Sequence, residues 1–195
     1  MSRTKRLLIM MMIFAMFVSL FPMTASASFS DTNGHWAKSV IDKWSDTGVV
    51  TGYGNGVYKP DAAITRAESA AILNRVMKYV APSSVNFSDV KLSDWFYTDI
   101  AALAQSGVME GFNGKALPLD HITRQDAVVL IARAFSIAPL SNALTFADSD
   151  KIAPYAKGAI SAMQTLGYIQ GTSSSKFSPQ RKVTRASSFR FLIAL

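Results

Sequence analysis

The chain has 195 residues, 49% hydrophobic and 17% charged, with a formal charge of +7 and no cysteine. Lack of cysteine excludes a disulfide scaffold, a thiol nucleophile and a cysteine-based zinc site. The positive charge is mild and unclustered, which argues against a nucleic-acid partner and for an anionic extracellular polymer.

In chain order the N-terminus comes first. Arg3, Lys5 and Arg6 precede an apolar run from Leu7 to Phe21, and Thr24-Ala25-Ser26-Ala27 follows. A basic start, a short apolar stretch and small residues where a signal peptidase reads predict a cleaved secretory leader over residues 1–27. The run is shorter than the about 20 residues a spanning helix needs, so an uncleaved anchor is the lesser reading. No cysteine follows it, which excludes a lipoprotein anchor. Cleavage removes three basic residues and Met1, Met10, Met11, Met12, Met16 and Met23. The expected mature chain is mildly basic, poor in methionine and without a stable membrane span.

Beyond the leader one pattern occurs three times. Phe29-Ser30-Asp31, Phe87-Ser88-Asp89 and Phe146-Ala147-Asp148 start 58 and 59 residues apart. An aromatic follows at Trp36, Trp95 and Tyr155, then Ile41, Ile100 and Ile160, then Trp44, Leu103 and Met163. Gly48, Gly107 and Gly167 come next, with Gly52, Gly111 and Gly171 four residues later. Each unit then reads Pro60, Pro118 or Pro179, and five residues on Thr65-Arg66, Thr123-Arg124 or Thr184-Arg185. The units are placed at residues 28–78, 87–136 and 146–195, with proline-containing linkers at Tyr79–Asn86 and Ser136–Thr145. Leader and repeats together leave no room for a separate catalytic domain.

Each unit is predicted to be helix, loop, helix, so the fold class is all-α. Ala37, Val40, Ile41 and Trp44 recur at helical spacing, as do Ala156, Ala159, Ile160 and Met163. The glycine after each run suits a helix C-terminus. Gly52-Tyr53-Gly54-Asn55-Gly56 is too glycine-rich for helix and reads as a loop, with a short extended piece at Val57-Tyr58. Thr65-Arg66-Ala67-Glu68 is a capping box opening the second helix; Asp126 is a shorter imitation of the glutamate, and Ser187 a weaker one still. The last helix is expected to run to Leu195.

These residues resemble a surface-layer homology (SLH) motif: Phe29-x-Asp31, His35-Trp36-Ala37, Gly48-Val49-Val50-Thr51-Gly52-Tyr53-Gly54, Tyr58-Lys59-Pro60-Asp61 and Ile64-Thr65-Arg66-Ala67-Glu68. Repeats two and three match less fully. The resemblance covers Phe29 to Leu195. It implies an α-helical pseudo-threefold trimer, with three helices in a central bundle and the remaining helices and loops forming three prongs. It also implies that grooves between prongs bind secondary cell-wall polymers non-covalently, in many Gram-positive bacteria through a pyruvylated N-acetylmannosamine, and so anchor the protein to the wall.

The residue chemistry agrees. Arg66, Arg124 and Arg185 open helices, beside backbone N–H groups expected to be unpaired and the positive end of the dipole. A guanidinium there can grip a carboxylate bidentately, and a pyruvate ketal supplies one. Trp36, Trp95 and Tyr155 read either as flat faces for a sugar ring or as core. Gly52, Gly111 and Gly171 would let backbone donors approach the sugar closely. Asp31, Asp89 and Asp148 read either as sugar-hydroxyl acceptors or as turn formers. Departures in repeat three (Tyr155, Thr172-Ser173-Ser174-Ser175, Ser187) lead to the expectation that the groove relying on Arg185 is the weakest.

Enzyme patterns are not found. His35 and His121 lie at different repeat positions without metal-ligand spacing, no Gly-x-Ser-x-Gly elbow occurs, and the glycine loop lacks a P-loop ending. No metal, no cofactor and no nucleic-acid partner are expected. Two rivals stand beside wall-polysaccharide binding: a surface-layer subunit that self-assembles, and a small wall-active hydrolase using Glu68 or Asp126. Peptidoglycan or another surface protein are alternative partners.

Overall fold

The computed structural model describes residues 29–82, 84–172 and 175–188. The predicted leader, and the last helix beyond residue 188, lie outside the described residues. Among the described residues there are five α-helices: α1 Lys38–Asp46, α2 Arg66–Met77, α3 Tyr97–Gln105, α4 Arg124–Ala134 and α5 Pro154–Thr165. Two 3-10 turns precede α1 and α5, at Ser30–Thr32 and Ser149–Lys151. The described chain is mostly helical, and its extended pairings are isolated bridges. The glycine loop is closed on itself, Val57 O accepting from Tyr53 N–H at 2.8 Å.

The first helix of every repeat ends in one way. Gly48, Gly107 and Gly167 follow the C-cap with φ of +71°, +69° and +78°, a left-handed step that glycine takes without strain. The reversal lets two further N–H groups return to one carbonyl: Val49 and Val50 to Trp44, Val108 and Met109 to Leu103, Tyr168 and Ile169 to Met163. Second helices begin at the predicted threonines. Thr65 and Glu68 exchange both bonds of a capping box, whereas Thr123 accepts from Asp126 N–H at 3.3 Å and Thr184 from Ser187 N–H at 3.2 Å.

Helix α2 packs on α3, α4 on α5, and α2 on α4, so the second helices of repeats one and two lean on the first helix of the following repeat. Ile41, Ile100, Ile160, Leu103 and Met163 are fully buried in one continuous core. At its centre three backbone bonds close a ring across the repeats. Ile64 N–H donates to Val183 at 2.9 Å, Val183 to Ile122 at 3.2 Å, and Ile122 back to Ile64 at 3.0 Å.

The segments flanking this ring serve the helix starts. Arg66 and Ala67 N–H donate to Asp120 and Pro118, Arg124 and Gln125 N–H to Arg181 and Pro179, and Arg185 and Ala186 N–H to Ala62 and Pro60, all at 2.8–3.1 Å. The next N–H in each helix goes to its threonine hydroxyl. The sequence reading that these N–H groups are unpaired is therefore corrected: a neighbouring repeat takes them, which leaves the arginine side chains, not the helix backbone, to meet a ligand.

Candidate functional site

Each glycine loop is fastened by the aspartate that opens its repeat. Asp31 accepts from Tyr58 and Lys59 N–H at 2.9 and 2.7 Å, Asp89 from Ala116 and Leu117 at 2.8 and 2.9 Å, and Asp148 from Phe177 and Ser178 at 2.7 and 2.9 Å. The second residue of each pair has positive φ, at Lys59, Leu117 and Ser178, which turns two successive N–H groups toward one carboxylate. Burial pushes the Asp31 and Asp148 carboxyls up, but these N–H donors outweigh it and hold both below the usual carboxylate range. Of the two readings of these aspartates, this geometry fits the turn former.

Gly52 and Gly111 are required for space, and Gly171 sits in a tighter-than-usual fit. A Cβ on Gly52 would lie 2.5 Å from Val57 O and from the Phe29 ring, and one on Gly111 2.5 Å from Lys115 O and the Phe87 ring. At Gly171 the nearest atom, Lys176 O, is 3.1 Å away. The close approach is thus loop against loop within one repeat.

The arginines reach across repeats. Arg185, from repeat three, is buried under the loop of repeat one. Its Nε donates to Tyr58 O at 2.9 Å, Nη2 to Thr51 O at 2.9 Å, and Nη1 to Glu68 Oε1 at 3.0 Å and the Tyr53 hydroxyl at 3.2 Å. The Tyr53 and Tyr58 rings cover it, each 4.5 Å from the guanidinium carbon. Arg66, from repeat one, donates through Nε to Ala116 O at 2.7 Å in the loop of repeat two, and lies 3.9 Å from Asp126. Arg124, from repeat two, donates through Nη2 to Gln170 O at 2.7 Å in the loop of repeat three, over the Phe177 ring at 4.9 Å.

The third contribution is aromatic. Trp36, Trp95 and Tyr155 are 52%, 62% and 58% exposed, so the core reading of this position does not hold. Each stands at the start of a first helix, beside the groove of the preceding loop. Trp95 lines a cleft of about 290 Å³ with Tyr53, Glu68 and Arg185. The Tyr155 hydroxyl donates to Asp126 at 2.5 Å and accepts from Gln125 at 3.0 Å; burial and the Asp126 carboxylate push it up to about 12. Trp36 lines a cleft of about 580 Å³ with Arg124, Gly171, Thr172 and Ser187. Every groove therefore takes an arginine, a loop and an aromatic from three different repeats. Of the departures of repeat three, Thr172 and Ser187 lie beside Arg124 and Tyr155 lies on Asp126 near Arg66, so they give no reason for the Arg185 groove to be the weakest.

Glu68 does not resemble a general acid. Burial pushes it up, but the Thr65 N–H, the Tyr53 hydroxyl and the Arg185 charge outweigh that and hold it below its usual range; a general acid needs the opposite shift. Among the described residues no group of three or more His, Asp or Glu is placed to hold a metal ion. Tyr53, Arg181 and Lys182 were absent from the site expected from sequence. Tyr53 had a signal, an aromatic between two loop glycines, whereas the two cations fall where the other repeats have Ala62-Ala63 and Asp120-His121.

Comparison with known proteins agrees with this construction. The family model for the S-layer homology domain matches residues 28–70, 86–128 and 145–187. The chain is 30% identical over 173 residues to the surface-layer 125 kDa protein of Lysinibacillus sphaericus, covering 86% of this chain and 15% of that protein. It is 30% identical over 174 residues to an amylopullulanase of Thermoanaerobacterium thermosulfurigenes, covering 86% and 9%. An S-layer protein of Bacillus thuringiensis subsp. finitimus is 27% identical over 174 residues, covering 86% and 21%. The chain thus spans 9–21% of the length of these relatives. It belongs to the S-layer homology family, whose domains are cell-wall anchoring modules of secreted proteins attached to the cell surface. Its likeness to the amylopullulanase is a likeness of anchors.

Proposed function

We propose that this chain holds an anionic secondary cell-wall polysaccharide, with a pyruvylated amino sugar as the recognised group, in three inter-repeat grooves. In this reading units at 28–78, 87–136 and 146–195 form a pseudo-threefold trimer around a central bundle, and a leader over 1–27 directs export. The observation that carries it is cyclic: Arg66 reaches loop two, Arg124 loop three and Arg185 loop one, each beside an exposed aromatic from the remaining repeat. The closed ring of Ile64, Ile122 and Val183 supports the threefold arrangement.

Arginine supplies the charge-assisted bonds and the aromatic a flat apolar face, the two things a charged sugar offers partners for. Asp31, Asp89 and Asp148, with Gly52, Gly111 and Gly171, hold the loops in shape. Three modest sites on one polymer gain by effective concentration, by about 10²–10⁴ over a single site. The test is co-sedimentation of the exported chain with purified sacculi before and after chemical removal of the secondary polymer. Pelleting that disappears with the polymer is expected. Equal pelleting with stripped walls would point to peptidoglycan, and concentration-dependent sheets without wall material would make self-assembly the better reading.

A further inference from the structure

We infer that in the first groove the anionic group of the polymer is held by Arg75, on the last turn of α2, while the motif arginine, Arg185, serves there as part of the floor. The inference rests on the wall-polymer reading above and adds the residue that grips and the position that leaves it available.

Glu68, Ala71, Ile72 and Arg75 are spaced i, i+3, i+4 and i+7, so they share one face of α2. That face lines the first cleft together with Trp95 and Arg185. Its two charged ends are about 10 Å apart along the helix. The N-terminal end is neutralised within the protein. The Arg185 side chain is 6% exposed, Glu68 Oε1 lies 3.0 Å from its Nη1, and its other nitrogens donate to the carbonyls of Tyr58 and Thr51. An incoming carboxylate would have to displace Glu68 from both the arginine and its capping box, or lie against a like charge.

The other end keeps its charge. Arg75 is exposed, and its Nη1 donates to Val49 O at 3.2 Å, an uncharged partner. Among the described residues it forms no ion pair. Asp99, which reaches the adjacent residue, accepts from Asn74 Nδ2 at 2.9 Å. No Asp or Glu occurs outside the described residues. Between the two ends Ala71 and Ile72 form an apolar floor, and Trp95 adds an exposed ring. A sugar resting its C–H face on that surface can place a carboxylate on the Arg75 fork.

Repeat two carries the same arginine in a different state. Arg133 follows Arg124 at the interval at which Arg75 follows Arg66. Its Nη2 donates to Glu110 Oε2 at 2.9 Å, an ion pair. Glu110 stands immediately before Gly111, as Thr51 stands immediately before Gly52. The residue before the loop glycine therefore decides whether this second cation is neutralised by its own repeat or offered to a ligand.

The test follows the Trp95 indole N–H signal by NMR, assigned by Trp→Phe substitution, because that ring belongs to the first cleft. The exported chain is titrated with the methyl glycoside of pyruvylated N-acetylmannosamine and with its methyl ester, which keeps the shape and loses the charge. Wild type is expected to prefer the acid. Arg75→Gln should weaken acid binding about tenfold or more, the loss of one charge-assisted contact, and leave ester binding unchanged. Arg75→Lys should keep a preference for the acid. Thr51→Glu, which gives repeat one the acid of repeat two, should weaken the acid as Arg75→Gln does with the arginine still in place. Acid binding unchanged in either Arg75→Gln or Thr51→Glu, or equal losses for acid and ester, overturns the assignment to Arg75. A Trp95 signal that neither probe moves, in a chain that still pellets with sacculi, overturns it as well and leaves the wall reading standing. A chain that fails to pellet overturns the wall reading with it.

Discussion

The first and third grooves are built from equivalent positions and end in opposite states. At the first, Arg185 is packed between two tyrosines and paired with Glu68; at the third, Arg124 lies over Phe177 beside a serine and two more cations. One residue, the third of the second helix, makes much of that difference. Glutamate there pairs with the motif arginine at the first groove, and serine at the third brings no charge of its own.

That comparison can be broken by mutation. The largest effect is expected for Arg185→Ala, which leaves Glu68 without its ion and two carbonyls unpaired, a loss of about 3–5 kcal/mol. Arg124→Ala, which removes the bond to Gln170 O and the contact with Phe177, should cost less, about 1.5–3 kcal/mol. Urea unfolding of the two variants checks this, and equal losses would remove the distinction. Next comes the loop: Gly52→Ala puts a Cβ 2.5 Å from Val57 O and the Phe29 ring and should cost about 1–3 kcal/mol. Gly171→Ala, with its nearest atom at 3.1 Å, should cost less, and thermal melts of the pair sharpen the contrast.

Caps follow. Thr65→Ala should lose about 1–2 kcal/mol and Thr184→Ala about half that, because the second cap lacks the reciprocal carboxylate. The pH dependence of stability carries the same difference. Glu68 is depressed in the folded state, so its stabilisation is present above its unfolded value near 4.5 and is lost as pH falls through the folded value. Chemical unfolding between pH 6 and pH 3 should therefore show a shallower loss for Glu68→Gln than for wild type. The smallest change in stability, within about 0.5 kcal/mol, is expected for Trp95→Ala, whose exposed ring should matter to sugar binding instead.

Much of this was legible before the structure. The 58-residue period, the helix-ending glycines and the capping threonines are local signals, each read from a handful of neighbours. What stayed hidden was which repeat each arginine serves, since Arg185 and its partner Tyr58 are 127 residues apart and nothing near either names the other. The aspartate clamps were hidden for a related reason. Their partners include Lys59 and Leu117 at positive φ, residue types that give no turn signal. The aromatic position was ambiguous because an aromatic five residues before a core isoleucine fits either face of a helix start.

The ring of Ile64, Ile122 and Val183 has a consequence for the order in which the molecule matures. Its last member, and Arg185 beside it, belong to the third repeat, yet they complete the loop of the first. Until the third repeat arrives, Ile64 lacks the carbonyl its N–H donates to, and the bed beneath Tyr53 and Tyr58 stays open. Contacts so distant along the chain close slowly. The first repeat is therefore closed only once the third has been made.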